Sequence, residues 1–346
     1  MDVISLFSSF FVTGASLFAL QPVASKVGLL DHPGGRKTHS KPTPLIGGLG
    51  IYLGIFLITY FNPTVFNHYS LMLGIAAFVL VIGMIDDYQH QSVWIRMGSQ
   101  AVAASLMYFA AKVQLTSFGD ILFVGDIGLG LLSFPLTVVA TVGVINAVNM
   151  SDGVDGLSGG MVAIALAFLG IIGWQAGNTT LLTFVAILLS ALLAFLALNF
   201  RLPWKKTAMI YLGDSGSTFL GFVLAWLFIE ASQGENAIMP PVLALWFLAL
   251  PLMDTIVLLV KRPLEGKSPF HPGRDHLHHK LLDMGFSNKR VVLSLYLVGI
   301  VIGLIGLAIH QEMILESLSF LIFLGLFLVY LLIISFMKNS FILTKK

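Results

Sequence analysis

The chain has 346 residues, of which 57% are hydrophobic and only 10% are charged. Soluble globular domains carry about 25% charged residues, so this composition excludes an ordinary soluble protein and predicts a polytopic membrane protein. The formal net charge of +2 says little by itself, and no nucleic-acid partner is expected. The chain has no cysteine, which excludes disulfides and thiolate metal sites.

Eleven segments are long and apolar enough to cross a bilayer, which takes roughly 17 to 25 mostly apolar residues. The predicted fold is all-α, a membrane bundle of about 11 transmembrane helices that forms one domain over residues 1–346. The first segment follows Asp2 and no basic stretch, which is typical of a retained span. The predicted spans are about 3–22, 46–62, 70–86, 95–112, 129–150, 157–175, 180–199, 212–231, 238–260, 291–309 and 315–337.

The basic residues predict the orientation of these spans. With eleven spans, the odd-numbered connections and the C-terminus share one side, and all of the 19 lysines and arginines except Lys112 fall there. Basic loops are typically cytoplasmic, so we expect a periplasmic N-terminus and a cytoplasmic C-terminus. The acidic clusters fall on the same side, which predicts that the chemistry occurs at the cytoplasmic membrane surface.

A polar stretch, NAVNMSDGVDGLSGG, joins the fifth and sixth spans at 146–160. Asn146, Asn149, Asp152 and Asp155 recur every third residue and would share one face of a helix. Carboxylates at the end of a membrane span are costly to desolvate, which favours a binding role. The alternative is a capped, solvated helix end that only joins two spans.

Acidic residues at two other span ends are candidates for binding a cation. Asp86 and Asp87 end the third span, and adjacent helical residues point about 100° apart, so we expect them to perform different tasks. Acids at a helix C-terminus oppose the macrodipole, which a divalent cation would relieve, although a helix end meeting water is the alternative. Asp214, in YLGDSGSTFLGF, could cap the eighth span or meet a magnesium phosphate, and Asn199 is a weaker candidate.

The ninth connection contains RDHLHHKLLDMG, in which an aspartate N-cap and a glycine beyond the end predict a short helix over 276–284. His276 and His279 would share one face of it, and Arg274 would stand at its start. A zinc site is one interpretation, but the histidine spacing is not that of a metalloprotease helix. A phosphate-binding cluster fits better, and a histidine-rich solvated loop is the alternative.

Two other features are ambiguous from the sequence. Arg36, Lys37 and Lys41 in the first connection could bind phosphate or could only set the membrane topology. Asp254 is the one acid well inside a span, and we expect it to face the bundle interior, either structurally or near the site.

These features together predict a phosphotransferase that acts on a lipid phosphate. Mg²⁺ prefers oxygen ligands and shares them with substrate phosphates, and phosphoryl transfer needs mainly positioning and charge neutralisation. No P-loop or dinucleotide fingerprint is present. A transporter or a lipid-binding scaffold is the alternative, but transporters concentrate polar residues near the midplane of repeated halves.

Five motifs, in order along essentially the whole chain, carry a family resemblance. They are PLIGG at 44–48, IDDY at 85–88, NAVNMSDGVDGL at 146–157, LGDSGS at 212–217 and RDHLHH at 274–279. The chain resembles the polyprenyl-phosphate N-acetylhexosamine-1-phosphate transferases and is most similar to their WecA-type branch. The related MraY branch typically has three consecutive histidines, whereas Leu277 interrupts them here.

The resemblance implies that GlcNAc-1-phosphate passes from UDP-GlcNAc to undecaprenyl phosphate, with Mg²⁺ or Mn²⁺, giving GlcNAc-diphospho-undecaprenol and UMP. It also implies the bacterial inner membrane and the first membrane step of O-antigen or enterobacterial-common-antigen type polysaccharide synthesis. Transfer of phospho-MurNAc-pentapeptide is the alternative within the family. The sequence leaves a homodimer open.

The resemblance also implies roles for individual residues. Asp87 and Asp214 would ligate the metal, and Asp86 would orient the lipid phosphate or take a proton from it. The charge of the diphosphate would be stabilised by Arg274, His276, His278 and His279. The residues expected to bind substrate are Lys41, Asn146, Asn149, Asp152, Asp155, Asn199 and Arg274.

Overall fold

The structure is a computed structural model that describes residues 3–33, 41–201, 207–268 and 273–343. The predictions for Arg36 and Lys37 lie outside the described residues. The regular elements of the described chain are helices apart from two short strands, which confirms the predicted all-α class. Its strands, β1 (Leu30–Asp31) and β2 (Thr43–Pro44), are two residues long and pair antiparallel.

The helices follow one another with short connections. They are α1 (Val3–Val27), α2 (Gly47–Tyr60), α3 (Pro63–Gln89), α4 (Val93–Phe109), α5 (Ser133–Met150), α6 (Leu157–Gln175), α7 (Thr179–Asn199), α8 (Gly213–Ser232), α9 (Pro241–Phe247), α10 (Ala249–Leu264), α11 (Leu277–Asp283), α12 (Asn288–Gln311) and α13 (Glu316–Leu343). A 3₁₀ turn, Gly130–Leu132, precedes α5.

Eight of these helices are long and apolar enough to cross a membrane. They are α1, α3, α5 with its preceding turn, α6, α7, α8, α12 and α13. The protein is therefore a polytopic helical membrane protein. The other predicted spans fall on α2, with 14 residues, on α4, with 17 residues, and on the bent pair α9 and α10, so the count of eleven stays a prediction.

The break between α9 and α10 bends this segment by 88°. Pro251 lies in the first turn of α10 and has no N–H to donate to the carbonyl of Phe247, where α9 ends. The segment is thus a broken span or a re-entrant loop. A hydropathy pattern predicted its apolar character but not its break.

Polar contacts collect at two opposite ends of the bundle. At one end, which we call the polar end, the last turns of α3, α5 and α7 meet the first turns of α6 and α8. At the other end His68 contacts Glu230, and Gln233 accepts hydrogen bonds from the backbone N–H groups of Thr116 and Ser117. This separation agrees with the predicted alternation of the odd and even connections.

Helix α8 lies at the centre of the bundle, and 94% of its most apolar stretch is buried. Two glycines let neighbouring helices reach its backbone at the polar end. A Cβ atom on Gly83 of α3 would lie 2.4 Å from the Cα of Ser215, and one on Gly48 of α2 would lie 2.3 Å from the Cα of Gly216. The absence of side chains at these positions therefore permits the close packing of α2 and α3 on the start of α8.

Candidate active site

A cavity of about 610 Å³ opens at the polar end of the bundle. Its walls contain eight of the predicted site residues, which come from widely separated parts of the chain: Asp87, Asn149, Asp152, Asp155, Asn199, Asp214, Arg274 and His279. The sequence predicted that acidic and imidazole groups would meet in one pocket, and the structure brings them together there.

The first turn of α8 is capped by a residue from another helix. Asp87, near the end of α3, accepts a hydrogen bond from the backbone N–H of Asp214 at 2.7 Å and from that of Ser215 at 3.1 Å. Leu212, at the N-cap position, makes no side-chain cap bond, and Gly213 has a φ of +76°. A carboxylate at a helix N-terminus is stabilised by the macrodipole, so α8 fixes the Asp87 side chain at the cavity wall.

Asn149, near the end of α5, holds Asp214 from the other side. Its Nδ2 donates to Asp214 Oδ1 at 2.6 Å and to Ser217 Oγ at 2.9 Å. Asp87 and Asp214 thus lie side by side at the start of α8, each oriented by backbone or amide donors. An ionised carboxylate has about four acceptor sites, so both groups keep oxygen lone pairs for a cation.

These two carboxylates fit a magnesium ion that arrives with its substrate. Within the described part of the chain, no three His, Asp or Glu side chains form a complete metal site. Mg²⁺ does not need one, because it usually binds through one or two carboxylates together with water and substrate phosphates. The oxygen-only donor set and the crowding of carboxylates both favour such an ion.

The prediction that 146–155 forms one helical face is wrong for its second half. Helix α5 ends at Met150, and the chain then turns through residues 151–156, with Gly156 at a φ of +87°. Burial among the cavity walls, and then the carboxylates of Asp214, Asp87 and Asp155, raise the pKa of Asp152, although its side chain still faces the open cavity. A divalent cation would relieve this repulsion.

Asn146, the first residue of that stretch, is hydrogen-bonded to α4. Its Nδ2 donates to Gln100 Oε1 at 2.7 Å and to the carbonyl of Val142 at 2.8 Å. Asn146 is not among the residues that line the cavity. The bond to Gln100 connects α5 to α4, and substrate binding by Asn146 stays a prediction.

Arg201 and Tyr211 line the cavity, although the sequence did not predict them as site residues. Arg201 Nε donates to Asp155 Oδ2 at 2.6 Å. When the Asn288 amide is oriented with its oxygen towards Arg201, that oxygen accepts from the two terminal nitrogens of Arg201 at 3.1 and 3.2 Å. Burial, and then Asp155, raise the pKa of Tyr211 to about 12, so its hydroxyl stays protonated. In the sequence, Arg201 is marked only as one of the basic residues of the seventh connection, and such residues also serve to set the membrane topology.

The short helix predicted over 276–284 is confirmed as α11, and Gly285 follows it with a φ of +90°. Its N-cap residue is His276 and not the expected Asp275. The N–H of Leu277 donates to Asp254 of α10 at 3.0 Å, so the cap is again supplied by another helix. Asp254 thus faces the bundle interior next to the site, as predicted.

Only one of the three predicted catalytic histidines lines the cavity, and it is His279. His276 and His278 are buried, with 6% and 3% of their surface exposed. Burial and the neighbouring His279 lower the pKa of His278 to about 3, and burial and Arg274 lower that of His279 to about 4. His279 is therefore neutral near pH 7 and can act as a hydrogen-bond donor or acceptor.

The two adjacent acids of α3 point to different surroundings, as the helical geometry predicted. Asp86 is 3% exposed and does not line the cavity. Its Oδ1 accepts from the backbone N–H of Gln91 at 2.6 Å, and its Oδ2 accepts from Arg96 at 3.2 Å. Its role towards the lipid phosphate stays a prediction, now with Arg96 as its partner.

Asn199 lines the cavity and Lys41 does not, and the predicted substrate binding of both residues stays a prediction. Asn199 Oδ1 accepts from the N–H of Gly156 at 2.6 Å, and its Nδ2 donates to the carbonyl of Ile210 at 2.8 Å. Both ends of its amide therefore fix backbone segments around the cavity. Lys41 is exposed and is not among the residues that line the cavity.

The chain was compared with known proteins. A family model described as glycosyl transferase family 4 matches residues 69–232. The chain is also 36% identical, over 330 residues, to the undecaprenyl-phosphate alpha-N-acetylglucosaminyl 1-phosphate transferase of Escherichia coli strain K12, an alignment that covers 94% of this chain and 89% of that relative. The chain belongs to this family.

Two further members of the family have the same description. The chain is 35% identical over 326 residues to the enzyme of Salmonella typhimurium, covering 94% of this chain and 89% of the relative. It is 32% identical over 328 residues to the enzyme of Haemophilus influenzae, an alignment that covers 95% of this chain and 92% of that relative. The resemblance that the five motifs indicated is therefore confirmed over nearly the full length.

Proposed function

We propose that the protein transfers GlcNAc-1-phosphate from UDP-GlcNAc to undecaprenyl phosphate and releases UMP. The observation that carries this proposal is the composition of the cavity of about 610 Å³ at the polar end of a membrane bundle. Its walls combine the Asp87 and Asp214 carboxylates with Arg274 and His279, which suits a magnesium-bound diphosphate. The names of the relatives support the same donor sugar and lipid acceptor.

Asp87 and Asp214 would hold Mg²⁺ or Mn²⁺, which neutralises the charge of the donor diphosphate when it is bound. Arg274 would hydrogen-bond the phosphate oxygens with its planar guanidinium, and neutral His279 would donate one further hydrogen bond. Asp152 lies on the same wall and is proposed for the nucleotide-sugar side. These groups bind and orient the donor, and the chain provides them from four separate segments.

The reaction requires one bond to form and one to break. An oxygen of the lipid phosphate forms a bond to the phosphorus that carries GlcNAc, and the bond from that phosphorus to UMP breaks without a covalent enzyme intermediate. Asp86 would orient the acceptor phosphate together with Arg96, its hydrogen-bond partner. Turnover of Asp86→Asn close to that of the wild type would remove this role.

We further propose that the chain crosses a bacterial inner membrane eleven times and opens its cavity to the cytoplasm. Arg96, Arg201 and Arg274 lie at the polar end, whereas Lys112 follows the end of α4 on the other side. The positive-inside rule then assigns the polar end to the cytoplasm. The product would begin a polysaccharide of the O-antigen or enterobacterial-common-antigen type.

Release of UMP tests the function directly. The purified protein is supplied with undecaprenyl phosphate, Mg²⁺ and UDP-GlcNAc, and a parallel reaction contains EDTA. We expect UMP to form only with all three components and to disappear with EDTA. UDP-MurNAc-pentapeptide serves as the competing donor, and UMP from that donor alone would overturn the proposed sugar specificity. No UMP from either donor would favour a binding scaffold or a transporter.

A further inference from the structure

Asp254 is a carboxylate within the broken span that the reaction described above does not use. It accepts hydrogen bonds from His276 Nδ1 at 2.6 Å, from the backbone N–H of Leu277 at 3.0 Å and from the Tyr330 hydroxyl at 2.8 Å. Its side chain is 16% exposed. A carboxylate at such a depth is stable only with partners, and these partners connect α10 to the start of α11 and to α13.

The imidazole of His276 is held on both sides. A carboxylate only accepts hydrogen bonds, so the proton of His276 is on Nδ1, which faces Asp254. The other nitrogen, Nε2, lies 3.4 Å from Arg262, which also forms a bidentate pair with Asp275 at 2.8 and 3.0 Å. Both nitrogens of His276 are thus occupied within the protein, and its ring does not line the cavity.

Helix α11 has only seven residues, which is too short to be stable without anchoring. Its anchor is at its start, where Asp254 binds both the side chain of His276 and the N–H of Leu277. His279 lies one helical turn from His276 and reaches the cavity. The direction of the His279 side chain therefore depends on how Asp254 fixes the first residue of the helix.

We propose that Asp254 is a positioning residue for the transfer reaction, and that His276 transmits its effect and takes no part in the chemistry. Asp254 fixes the Nδ1-protonated form of His276 and the start of α11, so that His279 and Arg274 face the donor diphosphate. This inference rests on the proposed function, because it concerns how that site holds its donor.

Replacing Asp254 by asparagine tests the first half of the proposal. An asparagine amide has one oxygen that accepts hydrogen bonds and one NH₂ group that only donates them. The NH₂ group would therefore face either the proton on His276 Nδ1 or another donor, and that hydrogen bond would be lost. Loss of such an orienting partner typically lowers activity by about 10- to 100-fold in metal sites, and we expect at least about a tenfold loss here. The KM for UDP-GlcNAc should rise and that for undecaprenyl phosphate should not. The control is Asp126→Asn, because Asp126 accepts a hydrogen bond from Ser117 at the opposite end of the bundle.

Two substitutions of His276 separate a positioning role from a catalytic one. The amide nitrogen of asparagine occupies nearly the place of Nδ1, so His276→Asn can still donate to Asp254, whereas His276→Gln places its polar group further out. We expect His276→Asn to retain most of the activity and His276→Gln to lose as much as Asp254→Asn. The double variant Asp254→Asn with His276→Gln should lose no more than either single variant, since the two residues act as one unit.

Three results would each overturn the positioning role. They are normal kinetics in Asp254→Asn, equal inactivity of His276→Asn and His276→Gln, and multiplied losses in the double variant. Thermal unfolding of each detergent-purified variant checks that it is folded, and the rescue by His276→Asn is decisive even where Asp254→Asn is unstable. If the wild type itself releases no UMP, the proposed function fails, and the positioning role fails with it because it concerns that reaction. UMP release by the wild type together with normal kinetics in Asp254→Asn overturns the positioning role alone.

Discussion

Replacing Gly83 of α3 with alanine should separate the two helices that carry Asp87 and Asp214, the carboxylates proposed to bind the metal. The new Cβ atom would lie 2.4 Å from the Cα of Ser215, 2.7 Å from its nitrogen and 3.0 Å from the carbonyl oxygen of Asp214. Carbon atoms pack best at about 3.5–4.0 Å, so α3 must move by roughly 1 Å from the start of α8. Asp87 lies one turn beyond Gly83 and would move with it.

The size of the effect follows from the contacts that are lost. Overpacking of a tight core costs about 1–3 kcal/mol. A shift of roughly 1 Å would also stretch the hydrogen bonds from Asp214 and Ser215 to Asp87, now 2.7 and 3.1 Å, beyond hydrogen-bonding range. Each bond to a charged group contributes about 1.5–3 kcal/mol. Loss of one of these two bonds and the overpacking together predict a decrease in unfolding free energy of roughly 2.5–6 kcal/mol.

Gly74 provides the matched control on the same helix. A Cβ atom there would meet no heavy atom within 4 Å, so Gly74→Ala changes the helix propensity but not the packing. Thermal unfolding of both variants in detergent and magnesium-dependent release of UMP are the two measurements. Gly83→Ala should unfold at a lower temperature and lose most of its activity. If Gly83→Ala matches Gly74→Ala in both measurements, the inferred close packing of α3 on α8 is wrong.

Three further predictions concern the cavity wall. A Cβ atom on Gly153 would lie 2.2 Å from His278 Nε2, so Gly153→Ala should displace α11 and lower UMP release, whereas Gly143→Ala, with open space around it, should not. Asp214→Asn should raise the Mg²⁺ concentration needed for half-maximal activity by about tenfold or more, and an unchanged magnesium titration would contradict its role. Burial and then Arg274 lower the pKa of His279 from its ordinary 6.5 to about 4, so its neutral form stabilises the fold above about pH 6.5 and that stability is lost as the pH falls towards 4. The unfolding temperature of His279→Gln should therefore fall less steeply over this range than that of the wild type.

The candidate residues at the ends of apolar segments could be predicted from the sequence, because a carboxylate next to a membrane span stands out in the hydropathy pattern. Asp86 and Asp87 are an example, since helical geometry alone predicts that they diverge, and in the structure one faces the cavity and the other Arg96. The short helix α11 was also predictable, because an N-cap region and a terminal glycine bound it. These are local signals that need no knowledge of the neighbouring helices.

Long-range partners were not predictable in the same way. The sequence indicated Asn199 as a candidate for substrate binding, but it did not indicate that the Asn199 amide bonds to the backbone of Gly156 and Ile210. The choice among the three histidines likewise depends on Asp254, which is 22 residues from His276 along the chain. Whether a polar side chain binds a ligand or the protein itself is decided by tertiary contacts, and periodicity contains no information about them.

Because α8 lies at the centre of the bundle, its packing affects both the stability of the protein and the geometry of the candidate site. Asp214 is in the first turn of this helix, and the rest of the helix is buried against its neighbours. Asp87 and Asn149 reach Asp214 only because α3 and α5 pack closely on α8, and Gly83 permits one of those approaches. A buried substitution that shifts α8 should therefore affect magnesium dependence before it unfolds the protein, since a carboxylate pair tolerates less displacement than an apolar contact does. Substitutions at the lipid-facing positions of α1 and α13, where only 17% of the apolar stretch is buried, should leave both properties unchanged.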